Sequence, residues 1–191
     1  MPTSANVTTG KPKITGAVFI APVGTALPTD ATSTLNTAFN EIGYISDDGI
    51  KNSTDIDTDS IKAWGGTKVL ELQNSKDDSF EFTMIEAMNV NVLKAVYGSA
   101  NVKGTDAKTG ISVKVGSDEA EEFAWVIDMV YRGDFLKRIV IPQGKVSKLG
   151  DITYTDSDAV GYDATLALAA DDTGYYHYEY IAKKATASTG S

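Results

Sequence analysis

The stretch EFAWVIDMVYRG, residues 122–133, decides the fold. Phe123, Trp125, Ile127, Met129 and Tyr131 fall on one side of a period of two, and Glu122, Ala124, Val126, Asp128, Val130 and Arg132 on the other. That period belongs to an extended chain, whose successive side chains point to opposite faces. Aromatic and β-branched residues dominate it, the types that fit a pleated surface. We read a half-buried strand, turned by Arg132, Gly133 and Asp134 into a returning strand, FLKRIVIP at residues 135–142.

Working outward, the same period predicts strands at residues 16–21 (GAVFIA), 68–73 (KVLELQ), 79–86 (SFEFTMIE), 111–115 (ISVKV), 160–170 and 175–182. A turn at DDTG, residues 171–174, joins the last two. One segment breaks the pattern. In EAMNVNVLKAVYG, Met88, Val92, Ala95 and Val96 recur at helical spacing, and Gly98 stands where a C-terminal cap belongs. The expected helix spans residues 87–97. Both ends are small and polar without a periodic apolar face. The expected organisation is a flexible arm over residues 1–13, one domain over 14–182 and a flexible tail over 183–191.

Composition narrows the function classes. Of the 191 residues, 42% are hydrophobic, enough for a real core. Lys and Arg number 17 against 26 Asp and Glu, a net charge of −9, which argues against gripping a nucleic-acid backbone. There is no cysteine and one histidine, His177, so thiolate chemistry and the common zinc sites are not expected. No N-terminal apolar segment resembles a signal peptide, and no apolar run is long enough to span a bilayer. The expectation is a chain made in a cytoplasm and soluble there.

Candidate chemistry is thin. The stretch YISDDGIKNSTDIDTDSIKAWGG, residues 44–66, carries five aspartates and ends in Trp64 beside two glycines. Asp55, Asp57 and Asp59 open like a calcium loop, but Ser60 stands where the turn needs glycine and Gly66 where a bidentate glutamate belongs. A solvent-facing polar segment is the preferred reading over a weak cation site. The acid pairs Asp47–Asp48, Asp77–Asp78 and Asp171–Asp172 sit beside turn-like residues, which explains them without catalysis. His177 lies among tyrosines with no nucleophile elbow in the chain, and reads as a packing or subunit-interface residue with Trp125 and Tyr131. No catalytic constellation emerges, and no metal or cofactor is expected.

The order of motifs resembles that of phage major tail proteins, or tail tube proteins, over residues 14–182. The likeness runs through PVGTALPT (residues 22–29), GYISDDG (43–49), KAWGG (62–66), RIVIPQGKV (138–146) and GDITY (150–154). The resemblance implies a mainly β chain, a β-sandwich or barrel with one flanking helix and a long projecting loop. It also implies a structural virion protein whose hexameric rings stack into a tube that phage DNA passes through. Partners would be further copies and the tape-measure, tail-tip initiator and terminator proteins, with assembly in the host cytoplasm. On this reading the loop at residues 47–66 contacts the next ring through Asp47, Asp48, Asp55, Asp57, Asp59 and Trp64. The other reading of Trp64 is a side chain tucked into its own core. The alternative for the whole chain is a monomeric β-sandwich binding module, on a virion surface or for carbohydrate.

Overall fold

The computed structural model describes residues 2–13 and 17–184. Residues 14–16, where the domain and first strand are expected to begin, and residues 185–191 of the expected tail lie outside the described residues.

In chain order the strands are β1 (Gly10–Pro12), β2 (Val18–Pro22), β3 (Asn40–Glu41), β4 (Lys51–Lys62) and β5 (Lys68–Met84). Helix α1 (Val90–Tyr97) follows, then β6 (Val102–Lys103), β7 (Ser112–Val113), β8 (Glu122–Tyr131), β9 (Phe135–Leu149), β10 (Tyr162–Leu168) and β11 (Tyr178–Lys183). The hydrogen-bonded path runs β3-β2-β8-β9-β10-β5-β4, antiparallel throughout, with β1 joined to β8 and β11 to β9. The fold is mainly β, a sandwich built from one large antiparallel sheet.

β9 makes the sandwich. Its first part pairs with β8 and β11, its last part with β10. The register shifts where Phe123 faces Gly144 but Trp125 faces Ile141, so residues 142–143 bulge. Pro142 lacks the N–H that a regular ladder demands, and a bulge tolerates it. This is why the strand continues past the expected end at Pro142. The two halves then face each other over one core. Phe80, Phe82, Val146 and Leu166 from one half meet Ile20, Trp125, Ile127 and Ile139 from the other. Trp125 is fully buried, edge-on to Phe82 and Phe123, and its Nε1–H donates to the Gly144 carbonyl at 2.9 Å.

The expected half-buried strand is instead buried on both faces. Ala124 and Val126 of β8 lie with Ala21 and Val140 under Phe39, Leu35 and Leu27, carried by the long connection from β2 to β3. Asp128 and Arg138 face each other across the β8–β9 ladder, both buried. Arg138 donates through Nε at 2.7 Å and Nη2 at 2.9 Å to the Asp128 carboxylate. Its Nη1 donates to the Asp30 and Ser33 carbonyls at 3.1 and 2.9 Å, fastening the covering connection to the sheet. Asp30 shapes that connection, accepting from the backbone N–H groups of Thr32 and Ser33 at 2.6 Å each. These bonds favour the carboxylate and hold its pKa down at about 2.

Helix α1 begins later than expected. The Asn89 side chain accepts from the Asn91 N–H at 2.9 Å, which makes Asn89 the N-cap and leaves Met88 outside and exposed. Val92, Leu93 and Ala95 enter the core, and Gly98, at φ 87°, ends the helix with its N–H on the Lys94 carbonyl. The expected strand at residues 111–115 is only β7, paired with β6. Within the expected N-terminal arm, β1 pairs with residues 129–131 of β8.

Arg138→Met strips the buried Asp128 carboxylate of its bidentate partner, leaving only the half-exposed Lys13 at 3.3 Å, and is expected to cost about 3–5 kcal/mol in denaturant unfolding, whereas Asp128→Leu with Arg138→Met together costs less than either alone. The depressed Asp30 pKa contributes stability above the ordinary value of 3.8 that is lost as pH falls toward 2. Limited proteolysis by pepsin across that window is expected to cut near residue 30 first, and Asp30→Asn to be cut there already at pH 4.

Candidate functional site

The segment expected to be a long loop over residues 47–66 is mostly strand. β4 and β5 form one continuous two-stranded ribbon closed by a turn in which the Ala63 N–H donates to the Thr67 carbonyl at 2.8 Å and the Gly66 N–H to the Ala63 carbonyl at 2.9 Å. Gly65 and Gly66, at φ 108° and 89°, supply the left-handed backbone that this turn requires. Likewise the two strands expected at residues 68–73 and 79–86 are one, β5, and Asp77–Asp78 sits in mid-strand rather than in a turn. Of the acid pairs, Asp47–Asp48 and Asp171–Asp172 are in turns.

Register sorts the ribbon's side chains. Asp55 faces Asp77, Asp57 faces Ser75, Asp59 faces Leu72 and Ile61 faces Leu70, so these residues share one face. Asp55, Asp57 and Asp59 are exposed strand residues, and Asp47 and Asp48 are exposed in the preceding turn. Two carboxylates directly opposite repel each other, so the Asp55–Asp77 pair weakens the ribbon. Toward the tip the surface turns apolar. Ile61, Val69, Leu70 and Leu72 are exposed, and Trp64 at the turn is fully exposed, not tucked into its own core. Among residues 57–75 every hydrogen bond and ion pair stays within the ribbon, including Asn74 to Asp57 at 3.1 Å and Lys68 to Glu71 at 2.8 Å. At about 3.3 Å per residue, the unsupported part is on the order of 25 Å long.

The ribbon is held only at its base. Asp78, buried, accepts from Asn52 Nδ2 at 2.9 Å and Thr54 Oγ1 at 3.0 Å. His177 Nδ1 lies 2.5 Å from the other Asp78 oxygen, off hydrogen-bond alignment, with its ring edge-on to Phe80. Tyr176 OH donates to the Lys76 carbonyl. Both clasping residues come from the turn before β11, which Asp171 stiffens by accepting from Thr173, Tyr175 and the Tyr178 hydroxyl. The Tyr178 bond, first among these, drives the Asp171 pKa well below the carboxylate range. It drives the Tyr178 pKa up.

The remaining sequence candidates sit apart from this ribbon. Trp125 is core. Tyr131 closes β8 opposite Phe135, with Lys137 Nζ 5.9 Å from its ring centre. Asp78, Tyr176 and the apolar tip residues are those the sequence reading missed. The alternation of Val69, Glu71 and Gln73 with Leu70 and Leu72 marked a strand but not its exposure. Among the described residues no group of three or more His, Asp or Glu is placed to hold a metal ion. No helix among them is long and apolar enough to cross a membrane.

A family model described as phage tail tube protein matches residues 7–190. A search of curated proteins finds no match.

Asp78→Ala removes the acceptor shared by Asn52 and Thr54. It is expected to speed amide exchange at residues 52–54 and 78–80 at least tenfold while leaving β8 protected, since bonds to a charged acceptor contribute about 1.5–3 kcal/mol.

Proposed function

The chain belongs to the phage tail tube protein family, and on that premise we propose that it assembles into stacked hexameric rings forming the tube through which phage DNA is delivered. The role is structural and non-catalytic, in the virion tail, with assembly in the host cytoplasm. Further copies are the main partner, and tape-measure, tail-tip initiator and terminator proteins bind the tube's interior and ends.

The observation that carries this reading is the β4–β5 ribbon. A two-stranded hairpin is marginal by itself in water. This one also sets Asp55 against Asp77 and exposes Trp64, Ile61, Leu70 and Leu72 at its far end. Contact with the next ring relieves each of these costs: donors on the neighbour meet Asp55, Asp57 and Asp59, with Asp47 and Asp48 at the foot of the ribbon, and an apolar surface covers the tip. Tryptophan is an expected interface anchor. The net charge of −9 suits a conduit that phosphates pass without adhering.

Negative-stain microscopy and light-scattering mass on one concentrated sample, alone and seeded with a tail-tip complex, test the reading. Rings or tubes with a central hole are expected, with a blue shift of tryptophan emission as Trp64 becomes covered. The triple variant Asp55→Ala, Asp57→Ala, Asp59→Ala is expected to keep its melting temperature but to give shorter tubes or single rings. A monomer inert to seeding would favour the binding-module reading instead.

A further inference from the structure

The exposed tip has a counterpart at the other end of the same strand. Where β5 runs out toward α1, Ile85, Glu86, Ala87, Met88, Asn89 and Val160 line a groove of about 490 Å³. Sites that bury a ring system typically span roughly 300–1,000 Å³. Tyr44 flanks it, accepting from the Ile85 N–H at 3.1 Å and donating its own N–H to Glu86 at 3.0 Å. Met88, in the lining, is 75% exposed, so the groove has an uncovered apolar wall.

Charge matches the two ends. Around the turn, residues 61–70 carry Lys62 and Lys68, and Lys68 is paired with Glu71 just beyond them. The groove holds Glu86, and the segment carrying Tyr44 has Glu41 before it and Asp47 and Asp48 after it. Glu86 Oε2, which accepts from Asn89 Nδ2 at 3.0 Å, is a carboxylate oxygen in an otherwise largely apolar lining and can accept a second donor, which suits an indole N–H.

We propose that this groove receives Trp64 of a second copy of the chain. The inference rests on the tube reading and deepens it by naming the seat of the ribbon tip. Tip and groove lie at opposite ends of β5, whose 17 residues span roughly 50 Å. A donor at one end and its acceptor at the other make a heterologous contact, which repeats head to tail and extends along an axis. The tip supplies the apolar wedge and the ammonium group of Lys62, Lys68 being paired with Glu71; the groove supplies the apolar walls and the Glu86 carboxylate. Met88 is free for this role because Asn89 takes the N-cap and leaves it outside the helix.

The absence of cysteine from the chain makes the test direct. Trp64→Cys with Met88→Cys, treated with a short bismaleimide after assembly, is expected to give a ladder of covalent multimers on a denaturing gel. Equal mixing of Trp64→Cys alone with Met88→Cys alone is expected to stop at covalent dimers. Val115 is 76% exposed outside the groove, so Trp64→Cys with Val115→Cys serves as control and is expected to give no ladder. Both changed positions of the test pair are exposed, and unchanged melting curves confirm the fold. Tubes without a ladder, a ladder equally strong from the control, or a double-cysteine product that stops at a closed dimer would overturn the groove assignment while leaving self-assembly standing. Failure of every variant and of the parent chain to assemble, seeded or not, would overturn the tube reading beneath it.

Discussion

Asp128 and Arg138 sit directly opposite each other on the two central strands, and much of the body is organised by that pairing. The guanidinium spends two N–H groups on the carboxylate and its third nitrogen on two carbonyls of the connection that roofs the second face of β8. Lys13 reaches the same carboxylate at 3.3 Å, tying the N-terminal segment to this point as well. An ion pair taken out of water brings little net stability by itself, because desolvation opposes the attraction. What it does here is positional. It fixes where the roof lies, and the roof makes the second apolar cluster of Phe39, Val126 and Val140 possible.

The architecture of the body was legible wherever packing dictated the residue type. Period two at residues 122–131 and 162–168 marks strands because their side chains must alternate around a core, where Trp125, read as a packing or subunit-interface residue, is buried. The second burial of β8 was not legible. Ala124 and Val126 are too small to announce a covered face, and Asp128 reads as solvent-facing until its guanidinium partner is found ten residues away. Met88 misled in the opposite direction, since an apolar residue at helical spacing looks like a helix face until Asn89 claims the cap.

The ribbon was harder still. Residues 51–62 are rich in Asn, Asp, Ser and Thr, and Asn and Asp are depleted in strands. They pair because β5 runs beside them, not because a core selects them, so the hydrophobic pattern that reveals other strands is missing. Local sequence therefore reported a loop where cross-strand hydrogen bonding builds a lever. The KAWGG turn was visible as a feature, and its exposure became clear only with the fold.

The sheet's connectivity also sets an order of events during synthesis. β2 finds the short β3 early, but its other edge is paired only when β8 has been made, with Val18 opposite Ile127 more than a hundred residues later. Such distant pairings close slowly, whereas hairpins of neighbouring segments form in microseconds. On the ribosome, β4 and β5 can therefore zip together while β2 still waits with its β8 edge bare. The projecting ribbon thus matures before the sheet that gives the molecule its body. Crowded polysomes would then hold many finished ribbons on unfinished chains, and the marginal stability of a ribbon without a partner keeps those early contacts short-lived.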